Sequence, residues 1–345
     1  MAQFLGLGNG SDGVATLSGT DAPIDSTCTG TAGTRTLTVG SGLSFAAGQM
    51  VKVHQTRGSG AGTWELGQVD SYSGTTLTLK FNLVNSYSDS GANQAQVYVV
   101  KQYSQVTISG TLTAKAWDGN VGGLLEFVCN GVTNITGSVT ASQKGFRGGL
   151  GNNNSNALGD SGEGTAGASV LNSSSANGNG GGGGKSGGGG PFPSGGGNGA
   201  AGTGSNPGAQ VGSADLTTMN LGGGSGGRGM DNPNGVNGVI GGGIISIFSN
   251  SFLLSGSIVS NGGDGLINSA GAAGGSIFIK AVSATLGTNL ITALGGTGGS
   301  EGGGNGNGGV GRIRIEVCSR TGSTNPAASE AVGGQPFCGS AAQII

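Results

Sequence analysis

Charged and aromatic side chains are scarce in this chain. Only 9% of its 345 residues are charged and 5% are aromatic, and the formal net charge is −2. Globular domains carry about 25% charged residues on average. So weak a charge offers no basic surface to nucleic acid or anionic lipid, and we predict neither a nucleic-acid partner nor membrane insertion. It also resists self-association poorly, which favours a subunit buried in an assembly.

Groups for catalysis are equally scarce. His54 is the only histidine, which excludes multi-histidine metal sites and leaves a Ser or Cys nucleophile without a plausible imidazole base. Cleavage of polysaccharide needs paired carboxylates, yet no two carboxylates recur at a spacing that would stack them on adjacent coils. The carboxylates considered are Asp118, Glu126, Asp160, Glu163, Asp215, Asp231, Asp264, Glu301 and Glu316. We therefore predict no catalytic residue, no metal site, no cofactor and no enzymatic activity, with a polysaccharide-acting β-solenoid enzyme as the third alternative.

Neither a membrane span nor an export signal is visible in the sequence. No segment approaches the ~18 apolar residues needed to cross a bilayer. Residues 1–6 lack the basic start and apolar run of a secretory signal. Two explanations fit: release by cell lysis, as virion parts are released, or a signal that this chain does not carry. Both predict an extracellular or virion-surface location.

The four cysteines match no zinc or redox spacing. They are Cys28, Cys129, Cys318 and Cys338. A Cys318–Cys338 disulfide would close a short C-terminal loop, and a Cys28–Cys129 disulfide would tie the N-terminal region together. The alternative is four free thiols, and the sequence does not decide between these possibilities.

Strand signals occur along most of the chain, and helical periodicity is almost absent. Short β-branched or alternating runs, separated by Gly, Ser and Asn clusters, predict an all-β protein. Residues 37–83 combine such runs with the tight turn Ser73–Thr75 and several aromatic side chains. They predict a small β-barrel or meander inside an N-terminal β domain that covers residues 1–105.

From Val106 onward a unit of two strands and a glycine-rich excursion repeats. Ile245 and Ile277 are 32 residues apart, and Ile277 and Ile313 are 36 apart. The repeat predicts stacked short strands in a sandwich or solenoid-like fold, with the excursions leaving from a common end. The expected segments are first β repeats (106–147), a glycine-rich region (148–243), C-terminal β repeats with shorter glycine loops (244–318) and a tail (319–345).

Glycine is the most abundant feature, with 82 residues. Residues 148–243 contain one aromatic residue and six charged residues, so they cannot build an ordinary side-chain core. Glycine recurs there in steps of three, at positions 178, 181, 184, 187, 190, 196, 199, 202 and 208. Polyproline II has three residues per turn and leaves its amides free for neighbouring strands. We therefore predict polyproline-II strands that are hydrogen-bonded side by side.

Glycine excursions that return to strands, as at Gly275–Ile279 and Gly311–Ile315, resemble glycine-rich phage tail-fibre and adhesin proteins and bacterial surface-fibre proteins. The opening Gly8–Gly13 before a strand resembles them too. The resemblance lies in composition and carries over no binding residue. It implies receptor binding by loops at a fibre tip, or a building block of a surface fibre.

Phe192, between two prolines on a glycine loop, is the candidate receptor contact, because exposed aromatic side chains are typical anchors for sugars and proteins. The alternative is that Phe192 packs inward and anchors its own loop.

The function predicted is that of a non-enzymatic structural protein, a homo-oligomeric fibre subunit that forms filaments through β edges and glycine packing. Its partner would be itself. The alternative is a phage tail-tip or cell-surface adhesin that binds a bacterial surface glycan or protein. Residues 1–25 or 319–345 are expected to contact another copy, because both segments are polar and poor at folding alone.

Overall fold

A computed structural model of the protein describes residues 6–154, 157–185, 190–229, 235–299, 304–332 and Cys338. Within these residues the chain forms strands and no helix, as the sequence predicted. Accordingly, this part of the chain contains no helix that could span a membrane. The strands are β1 (Gly13–Thr16), β2 (Gly19–Asp21), β3 (Asp25–Gly30), β4 (Thr36–Val39), β5 (Met50–Arg57), β6 (Trp64–Ser73), β7 (Thr76–Leu79), β8 (Gln94–Ile108), β9 (Thr111–Ala114), β10 (Leu124–Ile135), β11 (Ser138–Thr140), β12 (Ile244–Leu254), β13 (Ser257–Val259), β14 (Ser276–Thr292), β15 (Arg312–Asn325) and β16 (Ser329–Val332).

The N-terminal strands close into a small antiparallel barrel. The pairing runs β8–β3–β4–β7–β6–β5 and returns to β8, using residues 94–100 of that long strand. Alternation along each short strand directs apolar side chains inward, and Leu37, Val53 and Leu77 are fully buried there. Closure removes the unpaired edges that an open sheet would leave.

The rest of β8 opens a parallel stack. Its first sheet has the order β1–β8–β10–β12–β14–β15–β16, and its second sheet begins with β2–β9–β11–β13 and continues in the last residues of β14 and β15. Each coil therefore contributes one segment to each sheet, which is the predicted solenoid-like arrangement. We call this part of the protein the stack.

Register aligns like side chains in columns through the stack. Leu125 lies beside Ile245, Ile245 beside Ile277, and Ile277 beside Ile313. All four are buried in one continuous core between the two sheets. Each such side chain contributes roughly 1.5–3 kcal/mol of hydrophobic stabilisation, as an upper estimate.

Three glycine-rich excursions leave the second sheet and return to the first. They cover residues 141–243, 260–275 and 293–311, and their last residues, Gly243, Gly275 and Gly311, directly precede β12, β14 and β15. Because these three strands are neighbours in the first sheet, the excursions emerge side by side. We call the described residues of the three excursions the glycine bundle.

The cysteines divide into one pair and two free thiols. Cys318 of β15 forms a disulfide with Cys338. Cys28 and Cys129 are free and buried, so the Cys28–Cys129 disulfide considered from the sequence is wrong. The physical reason is their location, since Cys28 lies in the barrel core and Cys129 in the core of the stack.

Candidate functional site

In the glycine bundle, main chain packs directly against main chain. A Cβ atom added to Gly223 would lie 1.8 Å from the carbonyl oxygen of Asn179, and one added to Gly296 would lie 1.9 Å from that of Gly263. Neither glycine has a positive φ. Glycine is therefore required at these positions by the closeness of the neighbouring segment, and not by a backbone conformation that other residues avoid.

Amides in the bundle bond across three segments in turn, in cycles whose last bond returns to the first segment one residue further along. The N–H of Gly159 donates to Gly184 O (2.9 Å), that of Gly184 to Gly227 O (2.8 Å), and that of Gly227 to Asp160 O (2.9 Å). The same cycle recurs three residues along each segment. There the N–H of Gly162 donates to Gly181 O (2.7 Å), that of Gly181 to Gly224 O (2.9 Å), and that of Gly224 to Glu163 O (3.1 Å). The three-residue step is the period that glycine shows in the sequence.

Further amide bonds connect all three excursions. Gly309 N donates to Gly196 O at 2.8 Å, Gly196 N to Gly271 O at 3.3 Å, and Gly271 N to Gly306 O at 2.9 Å. Ordering so much glycine costs roughly 1–2 kcal/mol of backbone entropy per residue. Mutual bonding satisfies amide groups that would otherwise be buried without a partner. Among large side chains of the first excursion, Phe146, Leu216 and Met219 are fully buried in a core shared with the strands.

A buried ionic cluster joins the bundle to the barrel. Glu163 of the first excursion is completely buried. Its carboxylate accepts hydrogen bonds from Trp117 Nε1 (3.0 Å), Arg147 Nε (2.9 Å) and the guanidinium of Arg57 on β5. Charge-assisted bonds of this kind are roughly twice as strong as neutral ones. They hold the first excursion against the outer side of the barrel.

A second buried pair joins the barrel to the stack. Lys52 Nζ of β5 lies 2.6 Å from Glu126 Oε2 of β10, and both side chains are almost completely inaccessible. Tyr98 donates its hydroxyl to the same oxygen at 2.7 Å, and the Lys52 ammonium lies 4.1 Å from the centroid of the Trp64 ring. Burial lowers the pKa of Lys52 and raises the pKa of Tyr98. These groups serve as an internal joint and do not face a substrate.

His54, on β5 like Lys52, is also buried. Its Nε2 donates to the carbonyl of Met219 at 2.8 Å, and its Nδ1 lies 3.0 Å from the Thr56 hydroxyl. The ring is fully buried, and this burial lowers its pKa to about 4. His54 is therefore a neutral, hydrogen-bonded core histidine.

The described carboxylates among those named from the sequence differ in burial. Glu126, Asp160 and Glu163 are buried. Asp264 is exposed, and its Oδ1 accepts a hydrogen bond from Thr297 N at 2.8 Å. Asp231 and Glu301 lie outside the described residues. Within those residues, no three His, Cys, Asp or Glu side chains lie close enough to hold a metal ion.

Phe192 is half-buried and packs on its neighbours in the bundle. A Cβ atom at Gly304 would lie 2.3 Å from Phe192 Cδ2, and the Arg228 guanidinium carbon lies 5.7 Å from the ring centroid. Arg228 Nη1 also donates to Asn268 Oδ1. Phe192 thus contacts both the first and the third excursion. One face of its ring packs inward, as the alternative considered from the sequence expected.

Two large apolar side chains stand in solvent beside this contact. Leu266 and Ile267, directly before Asn268 in the second excursion, are 74% and 60% exposed. Together with Phe192, Arg228 and Asn268 they form what we call the bundle patch. Sequence reasoning identified Phe192 but missed Leu266 and Ile267, although two apolar residues between Gly265 and Asn268 were a readable signal.

The chain was compared with protein-family models, curated proteins and solved structures. No protein-family model matches the chain, and no curated protein matches it. Among solved structures, the chain is similar to the crystal structure of the tailspike protein gp49 from Pseudomonas phage LKA1, with 12% sequence identity and a TM-score of 0.20. The similarity covers 91% of this chain and 64% of that chain, so this chain spans less than two thirds of the tailspike's length.

Proposed function

We propose that this chain is a non-enzymatic structural subunit of an extracellular or virion fibre. The observation that carries the proposal is the glycine bundle, in which amide bonds between neighbouring segments order a region with few large side chains. Such a region offers few side chains for catalysis but has a defined shape. The buried ionic groups support the same proposal, because Lys52, Glu126 and Glu163 are used to join parts of one subunit.

The bundle segments are proposed to be polyproline-II strands. Their cross-segment bonds repeat every three residues, which is the number of residues per turn in polyproline II. The close approach at glycine is the second support, since only glycine fits where three such chains meet. Circular dichroism of the purified protein should contain a polyproline-II component in addition to the β signal.

The assembly proposal is tested by negative-stain electron microscopy and light scattering of the purified full chain over a range of concentrations. Regular filaments that form above a critical concentration are expected. A protein that stays monomeric at every concentration and ionic strength would remove the proposal. The absence of enzymatic activity is tested in parallel, by measuring reducing sugar released from bacterial surface polysaccharide, and a steady release would contradict it.

A second candidate function is adhesion to a bacterial surface glycan or protein. The bundle patch favours it, because the half-buried Phe192 ring and the exposed Leu266 and Ile267 lie in one region of the bundle, and aromatic and aliphatic side chains are common in binding surfaces. The double variant Leu266→Ser, Ile267→Ser should then lose binding to cells while its melting temperature is unchanged. Val84→Ser, on the barrel and 73% exposed, is the matched control. Equal cell binding by all three proteins would rule out adhesion through this patch.

A further inference from the structure

The two ends of the stack have open main-chain edges. Strand β1 pairs with β8 and strand β16 pairs with β15, and within the described residues neither strand has a neighbour on its other side. The N–H of Leu17 donates inward to Thr107 O at 2.9 Å. Because successive residues of a strand point to opposite sides, the N–H and C=O of Thr16 face away from the protein. An edge of this kind is a template for another strand.

The two ends of one side-chain column have complementary shapes. One column passes through Tyr103, Cys129, Ser249, Ala281, Val317 and Val332. At the β16 end, Val332 stacks on the buried Val317 yet is itself 52% exposed. At the β1 end, the position beside Tyr103 is Gly13, and a Cβ there would meet no atom within 4 Å. The column thus begins at an open space and ends at a protruding valine.

Charged side chains near the two ends form ion pairs within their own subunit. Asp12 pairs with Lys101 at the β1 end, and Arg314 and Arg320 pair with Glu316 and Glu330 at the β16 end. Asp21 stacks beside Ala114 on the outermost strand of the second sheet, where the Lys101 charge partly offsets the burial of its carboxylate.

We propose that copies of this chain join head to tail, with the β15–β16 end of one copy against the β1–β2 end of the next and the strands parallel. The contact would continue both sheets across the joint and place Val332 over the space at Gly13. It rests on the proposed function, because it specifies how the fibre subunits are connected. A contact between two different patches of one chain closes only as a ring and otherwise propagates as a filament.

The experiment uses variants blocked at one end. Thr16→Pro removes the outward amide of β1, which an edge strand tolerates, and Val14→Lys is a second block of the same end. Val332→Lys places an ammonium group where the column would continue. Each single-end variant should raise the critical concentration for filament growth at least about tenfold. The control Val84→Lys, exposed on the barrel, should assemble as the unmodified protein does.

Mixing gives the sharpest outcome. An equimolar mixture of Thr16→Pro and Val332→Lys retains one intact end of each kind, so sedimentation should detect a dimer and no longer species. The same dimer shows that both variants fold. If either variant dimerises alone, the contact joins like ends and the inference is wrong. If both variants elongate normally, the fibre grows through other surfaces, and the inference fails while the proposed function stands. If the unmodified chain never assembles, both fail.

Discussion

Replacing Gly223 by alanine should destabilise the protein far more than an ordinary glycine-to-alanine change. The new Cβ would lie 1.8 Å from the Asn179 carbonyl oxygen, whereas ordinary contacts begin near 3.4 Å. The neighbouring segment must therefore retreat by about 1.6 Å, the difference between these two distances. Asn179 is fully buried, and its Nδ2 donates to Gly197 O at 3.0 Å and to Leu221 O at 2.9 Å.

The magnitude follows from these contacts. Overpacking of a close-packed interior costs about 1–3 kcal/mol. Each of the two Asn179 hydrogen bonds contributes about 0.5–1.5 kcal/mol, and alanine regains about 0.4–1 kcal/mol through the unfolded chain. The two costs minus the gain lower the free energy of unfolding by about 2–5 kcal/mol. This lowers the melting temperature by several degrees in a protein of this size.

Gly167→Ala is the matched control within the same excursion. A Cβ at Gly167 would meet only the Ala92 Cβ, at 3.7 Å, and Gly167 does not have a positive φ. This variant should be neutral or more stable by about 0.4–1 kcal/mol. Differential scanning calorimetry of both variants and the unmodified protein measures the contrast. Melting temperatures that agree for the two variants would refute the claim that main-chain contact orders the bundle.

Three further predictions concern buried ionisable groups. Burial raises the pKa of Asp21 from 3.8 to about 6, so the stability linked to its protonation is present below pH 4 and is lost as the pH rises through 6. Asp21→Asn should therefore stabilise the monomer at pH 7 by up to about 3 kcal/mol and not at pH 3.5, as measured by urea unfolding; an equal effect at both pH values would contradict this. The pKa of His54 is lowered from 6.5 to about 4, so stability falls by up to about 3 kcal/mol as the pH drops from 6.5 to 4, and His54→Gln should flatten that part of the profile. Glu163→Gln leaves the Arg57 guanidinium buried without its counter-charge and should cost about 3–5 kcal/mol; thermal unfolding indistinguishable from the unmodified protein would show that the cluster is not needed.

Much of the β architecture could be predicted because strands and turns have local signals. The alternation in Thr36–Val39 and the apolar run at Leu124–Cys129 correspond to β4 and to part of β10, and the spacing of Ile245, Ile277 and Ile313 corresponds to one column of the stack. The three-residue spacing of glycine in the sequence likewise recurs as the three-residue spacing of the amide cycles.

The partners of each glycine could not be predicted, for a physical reason. Glycine has no side chain that would distinguish one neighbour from another, so nothing in the sequence pairs Gly184 with Gly227. Lys52 was missed for a different reason. It lies between Val51 and Val53, where alternation places it on the outer face of the barrel, and only the tertiary fold buries that face against Glu126.

The measurement closest to the central claim is amide hydrogen–deuterium exchange of the glycine bundle, resolved by peptide and compared with the strands of the stack. Segments 159–164, 180–184 and 222–227 carry the amide cycles, so their amides should exchange orders of magnitude more slowly than a random coil and approach the protection of β12. Exchange of these segments at coil rates, while β12 remains protected, would mean that the bundle is a flexible tether, and the account would be wrong.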